Sequence, residues 1–162
     1  MVSVKIPESI DFKSKQVVLE PSSEIWRNET VSFTSSPILV KDKVYQVSKV
    51  GELVCVDATS GEILWHKKLG NDNLHSSPLF CDGKLFVPMF SGKLYIIEPE
   101  ENGAKILHEL QLEGNLIGSP TICEGRLYLH TIKALHCWNF SHDGIESSEW
   151  PHQESGKVGK AS

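Results

Sequence analysis

The chain has 162 residues, 40% of them hydrophobic and 23% charged, which is enough apolar mass for one ordinary buried core. Its formal net charge of -5, with Lys and Glu intermixed, argues against nucleic acid as a partner, because displacing counterions from phosphates needs a basic stripe. No apolar run approaches the roughly 18 to 20 residues that span a bilayer, and Met1 to Lys15 lacks the charged head and apolar stretch of a secretory signal.

In chain order, the first predicted elements are two strands, Lys15 to Pro21 and Glu24 to Trp26. They read as the last two strands of a degraded first unit over residues 1–34, whose own first two strands are missing or altered. From residue 35 the chain repeats itself. Ser36-Pro37, Ser77-Pro78 and Ser119-Pro120 are spaced by 41 and 42 residues, and Leu53, Leu94 and Leu135 by 41 and 41. After each Ser-Pro comes a short apolar stretch and then a polar turn: Lys41-Asp42-Lys43, Asp82-Gly83-Lys84, Glu124-Gly125-Arg126. A strand-like run follows each turn, such as Val44-Tyr45-Gln46-Val47 or Leu85-Phe86-Val87, so each pair predicts a hairpin. A third strand begins at Gly51-Glu52-Leu53, is matched at Gly92-Lys93-Leu94, and returns without the glycine at Lys133-Ala134-Leu135. In the first full repeat a fourth strand, Glu62 to Trp65, follows a turn at Ala58-Thr59-Ser60-Gly61.

Short strands of β-branched and aromatic residues, joined by tight turns at a period near 40, have the size of one propeller blade. No stretch keeps a 3.6-residue apolar period, so almost no helix is expected. The predicted fold is all-β: a partial β-propeller of three to four antiparallel blades, four strands in each. The expected boundaries are a degraded first blade over 1–34, blades over 35–75 and 76–117, an incomplete blade over 118–150 with its fourth strand between Phe140 and Trp150, and a flexible polar tail over 151–162.

The segment Asp57-Ala58-Thr59-Ser60-Gly61-Glu62-Ile63-Leu64-Trp65 resembles the signature of the pyrroloquinoline-quinone-type (PQQ-like) propeller repeat family. The resemblance extends over about Gln16 to Asn139. It implies structural roles: Asp57 and Ser60 bond the turn, Gly61 accepts its left-handed backbone, and Trp65, with Trp26 at the matching place one repeat earlier, wedges between blades. Pro37, Pro78 and Pro120 mark the start of each repeat. The second repeat departs from the signature, with Glu98-Pro99-Glu100-Glu101-Asn102-Gly103 in place of the turn and Leu107 where the Trp would fall. The third lacks the turn. Members usually close rings of seven or eight blades, so this chain is expected to belong to a larger propeller or to be completed by self-association, two copies of about four blade-equivalents giving an eight-bladed ring.

Catalytic chemistry finds little footing in the residues. The quinone enzymes that share this repeat need calcium, a carboxylate base and a vicinal cysteine pair, and none of these is visible, so no cofactor and no enzyme activity is expected. Asp57 is the nominal base, but its place in the turn gives it a structural role. Glu98, Glu100 and Glu101 read as a solvated loop. Cys55, Cys81, Cys123 and Cys137 lack metal-ligand spacing, and their equivalent positions in pairs suggest small apolar core fillers. His130 and His136 fall on neighbouring strands, where packing or surface is the ordinary role. The expectation is a non-catalytic interaction scaffold whose partners are proteins, including another copy of the chain or the rest of a propeller. The alternatives are a ligand- or cofactor-binding module, lined by Phe86, Phe90, Tyr128 and Trp138, and a fragment of a quinone-dependent dehydrogenase with its site elsewhere. The resemblance implies an extracytoplasmic, periplasmic setting, while the lack of a signal segment in this chain and the four unpaired-looking cysteines lean the other way, so the location is left open.

Overall fold

A computed structural model describes residues 1–7, 19–72 and 74–139. Its strands form four antiparallel sheets. An N-terminal sheet pairs β1 (Val2–Val4) with β2 (Glu24–Arg27). The first blade is β3 (Ile38–Val40), β4 (Lys43–Val47), β5 (Glu52–Asp57) and β6 (Ile63–Lys68); the second is β7 (Leu79–Cys81), β8 (Lys84–Pro88), β9 (Lys93–Glu100) and β10 (Gly103–Gln111). The third has β11 (Thr121–Cys123), β12 (Arg126–His130) and β13 (Leu135–Asn139). Strands lie in space in the order of the chain, the meander of a propeller blade. Helix among the described residues amounts to one 3₁₀ turn, Pro21–Ser23.

Among the described residues the partner of β2 is Val2–Val4; of the expected strand Lys15 to Pro21, residues 15–18 lie outside the described residues, and Leu19 and Glu20 lead into the 3₁₀ turn that begins at Pro21. The terminal ammonium of Met1 anchors this pairing by donating to the Asn28 and Thr30 carbonyls at 3.0 and 2.5 Å. The third blade has three described strands; the fourth, expected between Phe140 and Trp150, and the tail lie outside the described residues.

Each blade opens with a two-residue hairpin. Asp82-Gly83 and Glu124-Gly125 take positive φ at both residues (49° and 73°, 49° and 70°), the backbone whose twist matches antiparallel strands. In the first blade Lys41 has φ 55° and Asp42 is not in the left-handed region. Past β12 the chain economises by one residue. Ser48 and Met89 donate to the carbonyls of Glu52 and Lys93, four residues on, whereas Thr131 donates to Ala134, three on. The Thr131 hydroxyl, accepting from the N–H groups of Lys133 and Ala134, closes this tighter turn without glycine. That is why the repeat spacing drops from 42 at Ser119 to 41 at Leu135.

Alternation sends opposite faces of a blade into different cores. Tyr45, Val47, Leu53, Cys55 and Trp65 of the first blade meet Leu85, Val87, Tyr95 and Ile97 of the second. Phe86, Leu94 and Ile96, on the other face of the second blade, meet Leu127 and Leu129 of the third. Each such fully buried side chain contributes about 1.5–3 kcal/mol of apolar burial. The stack therefore has a direction: every blade offers a forward face to its successor and a backward face to its predecessor.

Candidate functional site

The signature turn is built around one carboxylate oxygen. Asp57 Oδ1 accepts from the N–H groups of Thr59 and Ser60 at 2.9 and 2.7 Å and from the Ser60 hydroxyl at 2.9 Å. The Ser60 bonds, backbone and side chain, hold the Asp57 carboxyl below its ordinary range. Backbone bonds from Gly61 to the Asp57 carbonyl and from Asp57 to the Glu62 carbonyl, both 2.9 Å, close the loop. Gly61 has φ 78°, and a Cβ there would stand 2.5 Å from the Trp26 ring. Trp26 Nε1 donates to the Ala58 carbonyl at 2.8 Å, and Asn28 Nδ2 to the Gly61 carbonyl at 3.0 Å. The N-terminal sheet is thus seated on the signature turn of the first blade.

Trp65 holds the matching place one blade on, 8% exposed, with its ring centroid 5.9 Å from that of Tyr45. Its Nε1 is buried with no hydrogen-bond partner among the described residues. The second blade has no signature turn to receive it, since β9 and β10 instead extend as a regular ladder to Glu100 and Gly103. The ladder also corrects the expected alignment. Trp65 lies opposite Cys55 with Leu64 in the bulge, and in the second blade His108 lies opposite Ile96 with Leu107 in the bulge.

The Ser-Pro repeats form a relay between blades. The Ser36 N–H donates to Ser77 Oγ at 2.9 Å, and the Ser77 N–H to Ser119 Oγ at 2.8 Å. Proline, lacking an N–H, follows each donor where the first strand begins. Pro78 and Pro120 are buried, while Pro37, at the start of the first complete blade, is exposed.

The two ends of the blades differ in chemistry. One rim carries the turns Lys41-Asp42, Asp82-Gly83, Glu124-Gly125 and Glu101-Asn102 together with the signature turn, all polar but for Ala58. The other carries the loops between second and third strands and the blade-to-blade connections. These segments bond one another: Lys49 N–H to the Val31 carbonyl at 2.7 Å, Ile132 N–H to the Asn115 carbonyl at 3.0 Å, and Asn115 Nδ2 to the Phe90 carbonyl at 2.9 Å. Along this rim Val31, Phe33, Val50, Phe90, Ile117 and Ile132 are 48, 63, 47, 36, 49 and 53% exposed. Residue-by-residue reading of the sequence missed this surface; its signal is an apolar residue inside each loop otherwise rich in turn formers.

The remaining candidates separate. Phe86 and Trp138 share the core between second and third blades, Phe90 stands on the rim edge-on to His75 at 4.7 Å, and Tyr128 lies on the forward face of the third blade. His136 stacks on Trp138 with centroids 5.4 Å apart, and burial, then the charge of His130, pushes its pKa down. No group of three or more His, Cys, Asp or Glu side chains suited to a metal ion occurs among the described residues. All four cysteines are free. Cys55 is buried against Tyr45, burial pushing its thiol up and the Tyr45 phenol up to about 12. Cys81 packs at the edge of the second core, but Cys123 and Cys137 are exposed, so the core-filler reading holds for only part of the set.

Meandering blades, Ser-Pro starts and the Asp57 turn with its indole seat define a segment of a PQQ-like β-propeller. The model of the family described as outer membrane protein assembly factor BamB matches residues 14–102, more than half of the chain, and the chain belongs to that family. Among solved structures, BamB from Moraxella catarrhalis superposes with a TM-score of 0.60 at 18% identity, over 72% of this chain and 37% of that one. Quinohemoprotein alcohol dehydrogenase from Comamonas testosteroni gives 0.53 at 14% identity over 68% of this chain and 20% of that one. Quinohemoprotein alcohol dehydrogenase ADHIIG from Pseudomonas putida HK5 gives 0.55 at 14% identity over 70% and 20%. The chain thus spans well under half the length of these proteins, and at such identities they share its fold alone. No curated protein sequence matches it.

Proposed function

We propose that this propeller segment is a non-catalytic scaffold that binds protein partners through its apolar rim, in an extracytoplasmic setting, as the name of its assembly-factor family suggests. The observation that carries the reading is the asymmetry of the rims: six large apolar side chains stand 36–63% exposed at one end of the blades, and polar turns stand at the other. Exposed apolar side chains gathered on one surface, rather than scattered singly, mark contact sites, and loops held by a rigid sheet scaffold are where propellers recognise partners. The signature residues Asp57, Ser60, Gly61, Trp65 and Trp26, with Pro37, Pro78 and Pro120, serve the scaffold. The Asp57 oxygen that a base would use already accepts three hydrogen bonds within its own turn.

Photo-crosslinking residues placed one at a time at Val50 and Ile132, and at Asp82 and Glu124 on the opposite rim, test this in cells. Discrete protein adducts are expected from the first pair and none from the second. Equal labelling from both rims, or none from either, overturns the assignment.

A further inference from the structure

The hairpin that replaces the signature turn in the second blade carries a chemistry of its own. β9 and β10 run as a paired ladder to Glu100 and Gly103, and Glu101 and Asn102 make the turn between them. Glu100, Glu101 and Asn102 are all exposed, and a Cβ at Gly103 would meet nothing within 4 Å, so that side of the tip stands open. Asn102 is the only asparagine of the chain followed by glycine. Its amide makes no hydrogen bond among the described residues, whereas the amides of Asn28 and Asn115 are held by the Gly61 and Phe90 carbonyls at 3.0 and 2.9 Å. Asp82 also precedes a glycine, but its side chain is a carboxylate paired with Lys84 Nζ at 3.5 Å, and an ionised carboxylate resists attack by nitrogen.

We infer that Asn102 is a site of spontaneous covalent modification, deamidation through a cyclic imide formed with Gly103. The Gly103 nitrogen attacks Asn102 Cγ. The N–Cγ bond forms, the Cγ–Nδ2 bond breaks, and the Gly103 amide proton leaves with the side-chain nitrogen as ammonia. Water then opens the imide. Cleavage between nitrogen and Cγ gives aspartate; cleavage at the main-chain carbonyl gives isoaspartate, whose backbone runs through the former side chain. Water is the only co-reactant. Glycine favours the attack because, without a Cβ, it neither crowds the nitrogen nor restricts the backbone angles the ring needs. The pairing of Gly103 with Glu100 holds the nitrogen back, but this pair is the exposed end of the ladder, where local opening costs least. Either product places a new carboxylate beside Glu100 and Glu101. Isoaspartate also adds a methylene to the main chain where the ladder closes, so the Glu100 pair is lost while deeper pairs, such as Ile106 with Ile97, remain. The site stands on the polar rim and is independent of the role proposed for the apolar one.

Storage of the intact chain in warm, mildly alkaline buffer, followed by peptide mass mapping, tests this. The tryptic peptide from Leu94 to Lys105, whose single asparagine is Asn102, should gain the mass of an amide converted to a carboxyl group. It should also separate into aspartate and isoaspartate forms, the second accepting a methyl group from an isoaspartate methyltransferase. The folded chain should convert at a rate within about tenfold of the chain unfolded in urea, since the tip of the ladder opens locally. Asn102→Gln should leave this peptide unmodified over the same interval. Gly103→Ala, which has room for its Cβ, should slow conversion by about tenfold with the melting temperature unchanged. Conversion in urea with Asn102 intact in the folded chain would show that the ladder protects it and would overturn the proposal. Earlier conversion at Asn71 or Asn115, or a rate indifferent to Gly103→Ala, would overturn it too. Rim crosslinking is read separately and is unaffected by any of these outcomes.

Discussion

The joint between the N-terminal sheet and the first blade and the joint between the first and second blades use the same residue in different ways. Trp26 is half-buried and satisfied, its ring on Gly61 and its N–H on the Ala58 carbonyl. Trp65 is buried and unsatisfied, packed by Tyr45 and the apolar faces of two blades. The first joint is specific and shallow; the second is apolar and deep. What the signature turn provides is a hydrogen-bonded seat for the preceding indole. A blade that has lost the turn still holds its neighbour through apolar area, the Ser36 to Ser77 hydrogen bond and a buried one from the Tyr95 hydroxyl to the Leu69 carbonyl at 2.6 Å.

The largest expected effect follows from this difference. Trp65→Ala should destabilise the domain by about 3–5 kcal/mol, the range for truncating a buried large aromatic. Trp26→Ala should cost roughly 1–2 kcal/mol, for partial burial and one hydrogen bond. Thermal unfolding of the two variants side by side checks the order, and equal costs would mean that the deep joint is not deeper in energy.

How much of this could be read from the sequence follows the range of each interaction. The hairpins were legible because Asp82-Gly83 and Glu124-Gly125 encode their turn chemistry within two residues. The blade period was legible in Ser36, Ser77 and Ser119, although the inter-blade direction of their hydrogen bonds was not, since it depends on how one sheet sits on the next. The pairing of Val2–Val4 with β2 was missed because a three-residue strand carries almost no pattern and its partner lies some twenty residues away. Repeat alignment puts Leu107 in the place of Trp65 where the ladder puts His108, because both blades carry the same bulge but Cys55 and Trp65 are 10 residues apart and Ile96 and His108 are 12, the β9–β10 hairpin being two residues longer. Exposure could not be read, since Leu94 and Leu135 are the same residue in the same repeat position and differ only in what lies across from them.

A middle-sized effect separates the two outer turns. Gly61→Val should cost roughly 2–3 kcal/mol, in the upper range for single substitutions. The residue has φ 78° and a Cβ would meet the Trp26 ring, so both the backbone and the indole seat are disturbed. The same change at Gly103, in the regular hairpin of the second blade, meets nothing within 4 Å and has no positive φ. Gly103→Val should therefore fall within about 0.5 kcal/mol of the parent. Comparable losses from the two would show that the turn tolerates or rejects side chains for reasons unrelated to the seat.

The smallest effect tests whether charge, as distinct from shape, holds the signature turn. Bonds from Ser60 and Thr59 lower the folded-state pKa of Asp57, so the unfolded chain takes up a proton more readily than the folded one. Stability from this group is therefore present above the unfolded carboxylate value, near pH 4, and is lost as pH falls through the lower folded value. Asp57→Asn keeps an acceptor oxygen but gives up the charge. Its melting temperature should lie slightly below the parent's at pH 7, and the gap should narrow as pH falls below about 4, where the parent's carboxylate is protonated too. Because the carboxylate is solvent-exposed, screening keeps the difference small and added salt should shrink it further. A gap that stays constant from neutral to acid pH would place the turn's stability in Gly61 and the Trp26 contact, leaving the specific joint dependent on shape as the apolar joint at Trp65 is.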